Sequence, residues 1–178
     1  MISLKKEIDM AYFYTIFSEI YNSKYEKLNQ FTQHKNSTSY THSFYVAMEA
    51  YKYARRKNID CNLRSLIRGS LLHDYYIFNS DNSKDKGHLH NHPKKALNAA
   101  KKDYKLNSLE EEMILHHMWP YNFFQFPKHK ETWILIKYDK IVSLKEALRP
   151  KLAEYVSNAI SECIKYITAS PHLTLSTL

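Results

Sequence analysis

"NLRSLIRGSLLHDYYIF", residues 62–78, is an apolar run with helical spacing that ends on a histidine and an aspartate side by side. The spacing predicts a buried helix over "NLRSLIRGSLLHDYY". A hydrophobic segment gains nothing by hiding two ionisable groups unless they meet a partner, and a divalent ion would offset the cost of burying His73 and Asp74. Neighbouring helical positions sit about 100° apart, so both side chains reach one ion only if the helix frays at this point. The tyrosine pair that follows, and the polar stretch after it, make such fraying plausible.

The same helical period runs outward in both directions. Ile8, Tyr12, Ile16, Ile20 and Leu28 predict a first amphipathic helix over 4–28, and "HSFYVAMEAYKYARRK" (42–57) a second, capped by Thr41 or Ser39. After the doublet, "NSDNSKDKGHLHNHP" reads as a loop, with Pro93 in the first turn of the next helix, "KKALNAAKKDYK". "SLEEEMILHHM" follows, with Ser108 and Glu111 spaced as a capping box. Pro120 and Pro127 make "WPYNFFQFPKHK" a second long loop, and two further helices are expected from Glu131 to Leu148 and from Lys151 to Ala169. The expectation is an all-α, single-domain bundle of about seven helices spanning 1–178.

Composition agrees with that reading. The chain of 178 residues holds only 2 glycines and 5 prolines, which argues against a turn-rich β-barrel, and neither GxGxxG nor GxxxxGK[ST] occurs. Its net charge of +8 would attract nucleic acid, an anionic membrane or a phosphorylated small molecule alike. Because the lysines are scattered, a solvated basic surface is the plainer explanation and nucleic acid a poor candidate. Cys61 and Cys163 form no CxxC pair, which suits a reducing cytoplasm. With no run of about 18 apolar residues and no signal-like segment, a cytoplasmic protein without membrane contact is expected. The aromatic first helix (Tyr12, Phe13, Tyr14, Phe17) is expected to pack either on its own domain or on a partner subunit of an oligomer.

Of 10 histidines, His42, His73, His88, His90, His92, His116 and His117 gather in the centre of the chain beside predicted loops, whereas His34, His129 and His172 stand apart. Long loops within a small helical domain commonly carry function. Imidazole nitrogen with carboxylate oxygen suits Zn²⁺, Mn²⁺, Fe or Ni.

The order His42, His73-Asp74, His92, His117, Asp139 resembles the HD-domain superfamily of metal-dependent phosphohydrolases. "LIRGSLLHDYYIF", "LHNHPKKALNAAKK", "ILHHMWP" and "KETWILIKYDKIVSLKEA" resemble, block by block, a group of small single-domain bacterial members. The resemblance covers about residues 38–148, between an N-terminal helix within 1–33 and a C-terminal one within 151–170. It implies one or two divalent ions (Mn, Fe, Ni, Co, Zn or Mg) at the centre of the bundle. His42, His73, Asp74 and Asp139 would hold the first ion, and His92 and His117 would help to hold a second. His116 is an alternative to its neighbour, since either imidazole of "HH" could face inward.

The implied chemistry is attack of metal-activated water on a small phosphorylated substrate, such as a nucleotide. Asp74 would serve the reaction as well as the ions. Arg68, Lys94 or Lys95 would assist charge on the phosphoryl oxygens, and His90 would protonate the leaving oxygen. His88 and His90 would lie on the loop, while Tyr75, Tyr76, Trp119 and Phe123 could wall the pocket. The Glu-Asp pair of the alarmone hydrolases and the lysine and GYP motif of the cyclic-dinucleotide phosphodiesterases are both missing, which leaves the ester unnamed. Two other readings stand beside the hydrolase: a di-iron oxygenase on the same scaffold, and a regulatory module that binds nucleotide without turning it over.

Overall fold

The computed structural model describes residues 8–30, 32–34, 37–75, 88–121, 126–149 and 151–170, with backbone alone for 32–34 and 88–90. Eight α-helices lie among them: α1 (Ala11–Ser18), α2 (Ser23–Glu26), α3 (Ser39–Arg56), α4 (Leu63–Leu72), α5 (His88–Asp103), α6 (Ser108–His116), α7 (Lys130–Leu148) and α8 (Leu152–Ala169). A two-stranded antiparallel ribbon, β1 (Thr32–His34) with β2 (Ser37–Thr38), leads into α3. The all-α, single-domain architecture is the one expected, and no described helix is long and apolar enough to cross a membrane.

Side-chain caps set where these helices begin, and they shift several expected boundaries. Thr38, not Ser39 or Thr41, caps α3: its hydroxyl accepts from the Thr41 N–H, and the Thr41 hydroxyl in turn accepts from the Thr38 N–H at 2.9 Å. The capping box of α6 likewise falls one residue early, on Asn107 and Glu110 rather than Ser108 and Glu111. In both cases the chosen residue stands just outside the helix in extended backbone, which lets its side chain fold back onto the third residue's N–H.

The first helix is shorter than its periodicity suggests. α1 ends at Ser18, and Asn22 starts α2 by accepting from the N–H groups of Lys24 and Tyr25. An asparagine that satisfies main-chain donors offers the backbone an alternative to continued helix. The resulting turn lets Phe13, Phe17, Ile20, Tyr25 and Leu28 all be buried, which one straight helix would not. At α5 the departure is in the other direction: the helix begins at His88, so Pro93 lies inside it and removes one ladder bond.

α3 is the central helix. Its Phe44, Val46, Ala47, Ala50 and Tyr51 are buried together with Leu66, Ile67, Leu71 and Leu72 of α4 and with Leu135 and Val142 of α7. Phe13 and Phe17 of α1 meet the Phe44 ring edge-on at 5.4 and 5.2 Å, so the aromatic N-terminal helix packs on its own domain. α8 covers the remaining side through Val156, Ile160, Cys163 and Ile167. The expected first loop falls largely in 76–87, outside the described residues.

Candidate metal centre

α4 stops at Leu72 because each of its last three carbonyls finds a partner other than a further helical N–H. Ser70 O accepts from His73 Nδ1 at 2.8 Å, Leu71 O from the Tyr25 hydroxyl at 3.1 Å, and Leu72 O from the Tyr75 N–H at 3.0 Å. The helix expected to run on to Tyr76 therefore stops before the doublet, and His73 and Asp74 lie buried just past its end. His73 keeps helical backbone angles (φ −60°, ψ −31°), so the two side chains still diverge.

That divergence sends them to different sets of ligands. Ligand atoms of His42, His73 and Asp139 lie within 4.8 Å of one another, and those of Asp74, His92 and His117 form a second such set. His42 Nε2 is 3.2 Å and His73 Nε2 3.8 Å from Asp139 Oδ1, whereas His92 Nε2 is 2.5 Å and His117 Nε2 3.4 Å from Asp74 Oδ1. The other Asp74 oxygen lies 3.4 Å from His73 Nε2, so this carboxylate stands between the two groups. Asp74, expected with the first ion alone, turns its Oδ1 to the second set. Three helices and two helix ends deliver these six side chains: α3 gives His42, α5 His92, α7 Asp139, and the residues just after α4 and α6 give the rest.

Hydrogen bonds orient the imidazoles. His73 and His117 each donate Nδ1–H to the carbonyl three residues back, Ser70 O at 2.8 Å and Ile114 O at 2.7 Å. Their Nε2 lone pairs then face the cluster, and both atoms are buried with no hydrogen-bond partner. An orphaned imidazole nitrogen in a dry site costs free energy unless something electrophilic occupies it, so these two atoms fit a metal ion. His42 is held by the Glu146 carboxylate, 2.8 Å from Nδ1.

The cluster's electrostatics divide along the same line. Burial pushes the His117 pKa down to about 3, against the pull of Asp74, which leaves the ring neutral and ready to ligate. Burial would lower His42 too, but hydrogen bonds to Asp139 and Glu146 outweigh it and raise its pKa to about 10. His73 is also raised, burial being overcome by Asp74 and Asp139. For Asp74, burial favours the neutral acid, yet His73, His92 and His117 hold the carboxyl well below its ordinary range; His42 and His73 do the same for Asp139. A set of nitrogen and oxygen donors with no sulfur suits the borderline divalent metals.

The remaining candidates are placed as follows. His116 is only half-buried and takes no part in either set, so of the "HH" pair it is His117 that faces inward. Arg68 is not brought to the cluster: its guanidinium is buried on another face of α4, where it donates to Glu110 at 2.9 Å, Glu19 at 2.9 Å and the Lys105 carbonyl at 3.0 Å. Lys94 is exposed on α5, while Lys95, a turn on from His92, is half-buried on the ligand's side of that helix. Lys140 bonds Asp139 Oδ2 at 2.7 Å, as an isolated helix-surface aspartate would be expected to pair. Tyr75 is buried and bonds Asp103 at 2.9 Å, so it is packed away from a pocket wall. Trp119 stacks edge-on with Trp133 at 4.7 Å. The side chains of His88 and His90, and all of Tyr76 and Phe123, lie outside the described residues.

Glu146 is not among the residues expected from the sequence, yet it holds His42. Its signal was its position two helical turns beyond Asp139, which puts both carboxylates on one face of α7. No family model, curated protein or solved structure matches this chain.

Proposed function

We propose that the chain is a metal-dependent hydrolase of the HD type that cleaves a small phosphate ester, with nucleotides the first class to test. One observation carries the reading: two triads of nitrogen and oxygen ligands, buried but for the half-buried His92, with the Asp74 carboxylate of the second turned toward the first as well. Two ions held there would activate water near neutral pH and neutralise the phosphoryl oxygens of a bound ester.

The chain's own residues do the rest. His42, His73 and Asp139 would hold one ion and Asp74, His92 and His117 the other. Asp74, with an oxygen toward each set, fixes the spacing between them. Lys140 at the edge of the first set and Lys95 beside His92 are cations placed to draw an anionic substrate inward, and the net charge of +8 adds to that field. Lys94 remains in this role only as part of the exposed basic surface of α5. Arg68 has its donors committed to Glu19, Glu110 and Lys105, which supports a structural part for it rather than a phosphate contact. His90, two residues before the ligand His92, is proposed as the acid for the leaving oxygen. Cys61 and Cys163, both free thiols, fit a reducing cytoplasmic setting.

The test is a screen of phosphate esters and nucleotides with Mn²⁺, Co²⁺, Ni²⁺, Zn²⁺, Mg²⁺ and Fe²⁺. Release of phosphate that disappears in His73→Ala and Asp74→Ala is the expected outcome. Those two variants retaining the parent's metal content would sink the site assignment. Stoichiometric iron with an oxidisable optical band, and no phosphate release from any ester, would replace the hydrolase with the oxygenase reading.

A further inference from the structure

His42 differs from His73 and His117 in what holds its second nitrogen. His73 and His117 give theirs to main-chain carbonyls, neutral acceptors supplied by their own helix ends. His42 is gripped at both nitrogens by carboxylates of α7, with Asp139 3.2 Å from Nε2 and Glu146 2.8 Å from Nδ1. The Glu146 side chain is only 7% exposed, so water does little to screen it.

We propose that Glu146 is a positioning residue that makes the group His42, His73 and Asp139 the tighter of the two metal sites. The inference rests on the metal-centre reading above. A carboxylate accepting Nδ1–H fixes the tautomer with Nε2 bare, and it makes the ring a better donor to a metal than a carbonyl acceptor does. It also adds charge. An ion in the first group has Asp139 as a ligand and Glu146 one imidazole away, whereas among the described residues the second group has Asp74 as its one carboxylate ligand, with the other oxygen turned toward His73. In a dry site that extra negative charge favours a dication at the first position.

Zn²⁺ titration by calorimetry on full-length variants tests this. His117→Ala leaves the first group intact and His42→Ala leaves the second. The first variant should bind Zn²⁺ more tightly than the second, by about tenfold or more. Adding Glu146→Gln, which keeps the shape and removes the charge, should weaken the first variant by about tenfold, and Glu146→Leu by up to about 100-fold. Neither addition should move the second variant by more than about threefold, since its site lacks the imidazole that Glu146 holds. Equal losses in both backgrounds would mean that Glu146 supports the fold as a whole, and no loss in either would mean that it does nothing for the ion; both overturn the proposal. If the unsubstituted chain takes up no Zn²⁺, the metal-centre reading falls instead, and the two failures are told apart. Helicity of Glu146→Gln, measured alongside, should match the parent.

Discussion

His116 and His117 are one position and about 100° of rotation apart, and that rotation decides which can ligate. Met113 and Ile114, four and three residues before His117, are fully buried, so the helix face that enters the core carries His117 with it. His117→Ala should lower the metal content per chain, while His116→Ala should leave it at the parent's level, as measured after gel filtration. The residue types at the centre were legible because a buried His-Asp doublet demands a partner and the other histidines and Asp139 recur at helix ends and on apolar faces. The choice within the pair was less so, because it depends on which side of α6 meets α4. Glu146 was hidden for a different reason: a glutamate on a lysine-rich helix looks like surface until the neighbour that buries it is known.

Among the elements, α4 does two unrelated jobs on two faces. Its end presents His73 and Asp74 to the ligand sets, while Arg68, about 140° around the axis from His73, is locked between Glu110 and Glu19. The guanidinium and the Glu110 carboxylate are almost fully buried (6% and 1% exposed), so removing one leaves the other as a buried unpaired charge. Arg68→Ala should therefore destabilise the fold by about 3–5 kcal/mol in denaturant titration, with Zn²⁺ affinity of the folded fraction unchanged. A phosphate-binding Arg68 would give the reverse, little change in stability and a large rise in KM. Helix cores and most of their limits could be read from the spacing of apolar residues. The caps slipped by a residue, since Asn107 and Thr38 compete with serine and threonine neighbours for the same N–H groups, and the turn at Asn22 could not be seen without the packing that rewards it. Pro93 marked a helix start in sequence because proline is best tolerated there; the longer α5 shows that one lost ladder bond can be outweighed.

The whole molecule should depend on pH in the metal-free form and far less once metal is bound. In the metal-free chain His42, raised from 6.5 to about 10, contributes stability that is full below the unfolded pKa and lost as pH climbs toward about 10. His117, lowered to about 3, works the other way: the unfolded chain takes up its proton first, so stability falls as pH drops below 6.5. Asp74 and Asp139, both lowered, add stability that disappears in stronger acid. Metal, by contrast, binds only deprotonated imidazole, so its stabilisation grows with pH. Between about pH 7 and about pH 9 the melting midpoint should fall in chelator and stay nearly level in saturating Mn²⁺, and His42→Gln should flatten the fall. The end of α4 has one more consequence, in the order of events as the chain is made. The Leu71 carbonyl that helps to stop the helix is claimed by Tyr25, which is synthesised earlier, so the doublet can be shaped as soon as it emerges. Asp74, His92 and His117 follow within the middle of the chain, whereas His42 must wait for Asp139 across 97 residues. Long-range pairings form late because loop closure precedes their reward. A nascent chain thus gathers the set Asp74, His92 and His117 first, and the set His42, His73 and Asp139 only once α7 has been translated.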